Sequence, residues 1–267
     1  APSYINLMDA LNAWQLVSEL KAALGLPAAT SFKHVSPAGA AVAVPLDEAL
    51  SESYFVAGRA LSPLATAYAR ARGADRLASF GDWIALSDEV DRETADLIRI
   101  EVSDGIIAPG YTPEALEILS AKKNRRLLTL DPIQSRSDEV RMRQLDGGWL
   151  AQVQGPPAIN WNDVKCVTDK QADTSEVALA RFGAAVLAEV KSNAIILVSR
   201  TATGCATVGV GPGQTSRVEA VRIAARRAGE RAKGSMMVSD AFFPFRDGID
   251  AANDIGVSTV VQPGGSV

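Results

Sequence analysis

The sequence predicts an α/β protein, and three observations carry that expectation. Segments with apolar side chains at helical spacing alternate with short apolar runs of strand length. Capping residues and Gly/Pro pairs punctuate them where helices should start and stop. The second half then repeats the order of the first. Such alternation is the signature of helices packed on a sheet.

Residues 4–24, "YINLMDALNAWQLVSELKAAL", predict a helix ended by Gly25 and Pro27. "AATSFKHV" predicts a strand, and "SPAGAAVAV" a turn leading into another. Residues 52–73 predict one helix closing near Gly73, and "RLASFGDWIAL" a strand. "DRETADLIRIEV" predicts a short helix capped by Asp91, followed by a strand in "DGIIAPGY". "TPEALEILSAKK" predicts a helix with Thr112 as cap and Pro113 in its first turn, and "RRLLTLD" one more strand.

The helix, strand, small-residue turn and strand in "FGAAVLAEVKSNAIILVSRTATGCATVGVG" repeat the order of "WQLVSELKAALGLPAATSFKHVSPAGAAVA". A long helix, "TSRVEAVRIAARRAGERA", follows as in the first half, then "MMVSDAFFPF" and "VSTVVQPGG". An offset of very roughly 160 residues is the size of a small domain. Residues 1–145 and 146–267 are therefore expected to be two related units. The joining stretch carries Gly147-Gly148 and Pro156-Pro157, a plausible boundary.

Composition narrows the function. The net charge of -4 argues against a general nucleic-acid or anionic-membrane binder. No apolar run approaches the roughly 18 residues of a membrane span, and no basic, signal-like segment opens the chain. Cys166 and Cys205 form no CxxC pair, so both are expected to be small buried residues in a reduced, cytoplasmic setting. One histidine and two scattered cysteines cannot make a usual zinc cluster. There is no phosphate-binding GxxxxGK[ST] loop and no GxSxG elbow. "GVGPGQTSR" has GxGxG spacing and lacks the acidic residue a dinucleotide site wants.

The single histidine, His34, follows Lys33 where a strand meets "SPAG". In mid-strand the two side chains would face opposite ways; at a strand end both can turn into one cleft. There a neutral imidazole can accept a proton and an ammonium can donate one. The alternative is a structural histidine beside a solvated lysine. "GPGQTSR" sets Gln214, Ser216 and Arg217 at a helix start, suited to an anion or to a plain cap with a surface arginine. "SDAFFPFRDG" suits either core or the wall of a flat-ring pocket. Asp104-Gly105 fits a turn, and Asn193 needs partners for its amide.

In this order, "SFKHVSPAGAAV", "ARARGADRLASFGD", "EVSDGIIAPGY", "KSNAI", "GVGPGQTSRV" and "SDAFFPFRDGIDAA" resemble the AICAR transformylase region of the bifunctional purine-biosynthesis family, which joins it to IMP cyclohydrolase. The resemblance runs from end to end of the chain. It implies two tandem cytidine-deaminase-like units without a zinc site. It also implies metal-free transfer of a formyl group from 10-formyltetrahydrofolate to the 5-amino group of AICAR. Lys33 and His34 match the family's catalytic pair, and Asn193 an asparagine that orients the formyl group. Gly81, Asp104, Gln214, Arg217, Phe242, Phe245 and Asp247 match the nucleotide and folate pockets. A homodimer with its site between subunits is implied. The family's upstream "RYGxNPHQ" segment and a far-end segment with an Arg and a His have no counterpart here. The chain, which begins with Ala, is thus expected to be part of a longer enzyme, without cyclohydrolase activity of its own. A piece that only binds nucleotide or folate is the alternative.

Overall fold

A computed structural model describes residues 2–131, 139–154, 159–201 and 204–265. Helix α1 (Tyr4–Leu24) opens on a capping box: the Ser3 hydroxyl accepts from the Asn6 N–H at 3.2 Å, and the Asn6 side chain accepts from the Ser3 N–H at 3.1 Å. It ends on Gly25 at φ +69°. Then come β1 (Ala28–Lys33), β2 (Ser36–Val42), α2 (Glu48–Ser53), α3 (Pro63–Gly73), β3 (Asp82–Leu86), α4 (Arg92–Ile98), β4 (Ser103–Ala108), α5 (Pro113–Ser120) and β5 (Arg126–Thr129). After β6 (Glu139–Leu145) and β7 (Gly148–Gln154) the chain continues through α6 (Thr174–Ala188), β8 (Ile195–Thr201), β9 (Gly204–Gly211), α7 (Arg217–Ala228), β10 (Met236–Ser239), α8 (Asp247–Asp254) and β11 (Thr259–Val261).

The Asp91 and Thr112 caps form as the sequence predicts, each side chain accepting a backbone N–H of its helix. Three expectations need correction. The single helix over 52–73 is two, because Ser62 caps a new start with Pro63 in its first turn, and the chain between them is irregular. The strand read over 76–86 begins only at Asp82. The joining stretch is not a bare linker: β6 and β7 pair as a hairpin, with Gly147 at φ +83° in its turn. Pro156-Pro157 and residues 202–203 of the second half's small-residue turn lie outside the described residues.

Nine strands form one sheet in the order β11-β10-β8-β9-β2-β1-β3-β4-β5. From its centre outward each side reads alike: β2, β1, β3, β4 one way and β9, β8, β10, β11 the other. The sides meet where β2 runs antiparallel to β9, with Ala41 opposite Ala206. Helices cover both faces, so most strands are buried throughout instead of alternating. Trp14 and Leu16 of α1 and Phe182 of α6 pack with Phe32, Trp83 and Ile196 on one face. On the other, α3, α4 and α5 cover Ile84, Leu86 and Ile106, while α7 and α8 cover Leu197 and Met237.

Close helix–sheet approach explains the glycines of "GVGPG". A Cβ on Gly209 would lie 2.2 Å from the Ala224 carbonyl oxygen, and one on Gly211 2.0 Å from that of Ala220. These glycines let α7 sit against β9; they shape no phosphate loop.

Candidate active site

The pairing directions bring the candidate residues to one rim of the sheet. Strands β1, β9, β10 and β11 end at this rim, whereas β2, β3, β4, β5 and β8 begin there. Lys33 closes β1, Gly81 precedes β3, and Asp104 lies at the start of β4. Asn193 precedes β8, and Gln214 and Arg217 lie between the end of β9 and the first turn of α7. Phe242, Phe245 and Asp247 lie between the end of β10 and the first residue of α8. Side chains far apart in sequence therefore share one edge, which is the starting end of the parallel strands β3, β4 and β5.

The Lys33-His34 pair owes its placement to a distorted hairpin. The β1–β2 register shifts at Ser31/Phe32, and Lys33 then pairs with Ser36 across a two-residue turn. His34 and Val35 fill that turn at φ +54° and +61°. Two central residues at positive φ give the twist a two-residue hairpin needs, which Asn-Gly usually supplies. A β-branched residue such as Val35 does not adopt this region freely; there the left-handed conformation costs about 1–2 kcal/mol.

Buried Asp9 of α1 meets that turn. One carboxylate oxygen accepts the His34 N–H at 3.2 Å and the other the Val35 N–H. Burial pushes the Asp9 pKa up, against the two backbone hydrogen bonds that pull it down. Asn6, one turn earlier, donates to Asp104 at 3.2 Å. Sequence reasoning passed over both residues. The available signal was two polar side chains on the helix face otherwise made by Ala10, Ala13, Leu16, Val17 and Leu20.

The Lys33 ammonium donates to the Phe80 carbonyl and lies 5.8 Å from the Phe80 ring centre. Gly81 follows at φ +73°, and a Cβ there would stand 3.3 Å from the Lys33 nitrogen and 3.8 Å from an Asp104 oxygen. The exposed His34 imidazole makes no hydrogen bond among the described residues. It opens with Lys33 onto a cleft of about 340 Å³ bordered by Pro37, Ala78, Pro212 and Arg227.

A second cluster surrounds Asn193. Its backbone exchanges two 3.1 Å hydrogen bonds with Gln214, and its side-chain nitrogen donates to the Gln214 carbonyl at 2.9 Å. Arg217 donates to the Asn193 oxygen at 2.6 Å, to the Ser239 hydroxyl at 3.0 Å and to the Asp240 carboxylate. Burial works against the Asp240 charge, but hydrogen bonds from Ser192 and Arg217 outweigh it and lower its pKa. Arg217 thus starts α7 as a clamp and not as a surface residue, while Ser216 makes no side-chain cap. No hydrogen bond or ion pair among the described residues links this cluster to Lys33 or His34.

The three phenylalanines divide. Phe243 is buried and carries the Arg217 guanidinium 6.0 Å from its ring centre, whereas Phe242 and Phe245 are exposed. Asp247 accepts from the Gly248 N–H at 2.8 Å and is otherwise open to solvent. Cys205 is buried as expected, but Cys166 is exposed, because residues 159–173 form an open loop where its thiol bonds near Thr168 and Lys170.

These features define an α/β protein with two polar clusters of unlike chemistry along one sheet rim. The chain belongs to the AICARFT/IMPCHase bienzyme family, whose model matches residues 1–227. It is 38% identical over 265 residues to the bifunctional purine biosynthesis protein PurH of Lysinibacillus sphaericus, covering 99% of this chain and 47% of that protein. The PurH proteins of Acetivibrio thermocellus, 38% identical over 267 residues, and Sorangium cellulosum, 40% over 269, are matched across 99% of the chain and 47% and 46% of their own lengths. The chain therefore spans about half the length of these relatives.

Proposed function

We propose that this chain performs the transformylase half of its family's chemistry. It transfers a formyl group from 10-formyltetrahydrofolate to the 5-amino group of AICAR, giving FAICAR and tetrahydrofolate. The observation that carries this reading is Lys33-His34 on a tight turn at the sheet rim, facing a cleft. An aromatic amine is a poor nucleophile until its proton leaves. His34 accepts that proton as the nitrogen bonds to the formyl carbon. As the bond from formyl carbon to folate nitrogen breaks, Lys33 stabilises the developing charge or supplies the proton that nitrogen needs. Asn193, oriented by Arg217 and Gln214, holds the formyl oxygen. Asp104 and Gly81 line the nucleotide side, and exposed Phe242 and Phe245 offer ring faces to the flat folate.

The mirrored strand order on the two sides of the sheet supports a duplicated cytidine-deaminase-like unit, divided near residue 145. The lack of any hydrogen bond or ion pair among the described residues between the Lys33 and Asn193 clusters supports a site completed between two subunits. One face of the β6–β7 hairpin supports the homodimer, with Val140, Met142, Trp149 and Val153 all more than half exposed. A cytoplasmic setting goes with this chemistry, and among the described residues no helix is long and apolar enough to cross a membrane.

The test is direct. Purified chain is mixed with AICAR and 10-formyltetrahydrofolate, and tetrahydrofolate formation is followed. AICAR-dependent turnover is expected; a flat trace at saturating concentrations of both would make the chain a binding piece only.

A further inference from the structure

We propose that Asp9 is the positioning residue of the Lys33-His34 turn, its carboxylate holding His34 at the angle from which the imidazole reaches the reacting amine. The inference rests on the role given to His34 above and adds a residue from a different element, 25 positions away in sequence.

Three observations converge on it. The turn consists of two residues at positive φ, neither of them glycine, asparagine or aspartate, so the local sequence does not select this conformation. The restraint comes instead from Asp9, whose two oxygens each take one of the turn's backbone N–H groups. A carboxylate accepting two N–H groups in this manner fixes orientation as well as position. Asp9 is also buried, 6% exposed, on the otherwise apolar face of α1, where burial disfavours its charge. A chain that needed only a hairpin here could use Asn-Gly in the turn and an apolar residue at position 9. No other side chain among the described residues bonds the His34 or Val35 N–H. The neighbouring Asn6–Asp104 hydrogen bond ties the same end of α1 to β4, so α1 reaches the turn from a fixed base.

The chain's single histidine makes the idea testable without crowding in a spectrum. Asp9→Asn keeps the size of the side chain but leaves one acceptor for two donors. Amide hydrogen exchange at His34 and Val35 should then quicken at least tenfold, and the one imidazole Cε1–H signal should broaden or split. In steady-state formyl transfer kcat should fall roughly tenfold to a hundredfold, while KM for both substrates stays within about threefold, since Asp9 touches neither. Adding Val35→Gly should recover part of kcat, because glycine takes positive φ without help. A purely structural Asp9 would lower the melting temperature and both kinetic constants together, with no such rescue. Wild-type exchange rates, or wild-type kcat, in Asp9→Asn would overturn the proposal. If the unsubstituted chain shows no turnover at all, the activity assigned above fails, and the exchange measurement alone still decides whether Asp9 holds the turn.

Discussion

The Arg217 guanidinium donates to the side-chain oxygen of Asn193 at 2.6 Å, and this bond settles which way the amide faces. An amide has two donors and two acceptor lone pairs. Arg217 takes one lone pair and the Gln214 carbonyl one donor, leaving one of each for a ligand. Lysine at 217 could keep the charge beside Asp240 but could not reach Asn193, Ser239 and Asp240 from one planar fork. Losing the charge-assisted bond to Asn193 is worth about 1.5–3 kcal/mol, so kcat of Arg217→Lys should fall roughly tenfold to a hundredfold. Initial rates against AICAR and folate check this, and an unchanged kcat would detach Arg217 from the reaction.

His34 offers the cleaner separation of fold from chemistry. Its imidazole is exposed and bonds nothing among the described residues, so stability should not depend on it. Asparagine tolerates positive φ and cannot accept a proton near neutral pH. His34→Asn should therefore keep its unfolding free energy within about 0.5 kcal/mol. Turnover should drop by roughly 10²–10⁴, the usual contribution of a positioned general base. Paired denaturation and rate measurements suffice. Normal turnover in the folded variant would remove His34 from the mechanism.

Gly81 tests the other half of the pair. Its φ of +73° favours glycine, and a Cβ there would meet the Lys33 nitrogen at 3.3 Å. Gly81→Ala should cost about 1–2 kcal/mol of stability from the backbone alone. The ammonium, at the end of a flexible chain, will move aside and not clash. Activity should thus fall by more than the lost stability accounts for at temperatures where the variant is fully folded. An activity loss that disappears once both proteins are compared well below their melting points would argue that the Lys33 position is not critical.

How much of this was legible in the sequence follows from how local each signal is. Ser/Thr/Asp caps act within three residues, so α4 and α5 were readable from Asp91 and Thr112. The break between α2 and α3 was equally local, at Ser62-Pro63, but the helix-periodic residues around it masked it. In β6 and β7 the alternation of "VRMRQL" and "WLAQV" around Asp146-Gly147 is a hairpin pattern, hidden because the glycines suggested a linker. The candidate site residues came from motif resemblance; why they gather was not legible, since strand directions across nine strands decide it. Asp9 was least legible of all, because its partner N–H groups belong to a turn whose conformation no local residue specifies.

Beneath Gly81 lies a buried ion pair whose pH dependence can be predicted in sign and size. Asp82 is fully buried, and one of its oxygens accepts the Ser31 hydroxyl at 2.6 Å and Arg72 at 3.0 Å, while the other has no hydrogen-bond partner among the described residues. Arg72 also pairs with Glu101 at 3.1 Å. The two partners shift in opposing senses. For Arg72, neighbouring Tyr68, Asp82 and Glu101 outweigh burial and raise its pKa, as for a well-paired cation. Asp82 is pushed up to about 6 by burial, against the pull of Arg72 and Ser31. The unpartnered oxygen supports the Asp82 direction, since half the carboxylate has nothing to stabilise its charge. Between its unfolded value of 3.8 and about 6, the folded protein therefore binds a proton that the unfolded chain has released. Stability from this group is full below pH 3.8 and is lost as pH rises through 6. Asp82→Asn keeps the shape and removes the titration. From pH 4 to pH 7 the stability of the unsubstituted chain relative to Asp82→Asn should therefore fall by about 2–3 kcal/mol. Urea unfolding of both proteins at the two pH values measures it. A difference that stays constant would mean that Asp82 remains ionised throughout, with Arg72 outweighing the burial.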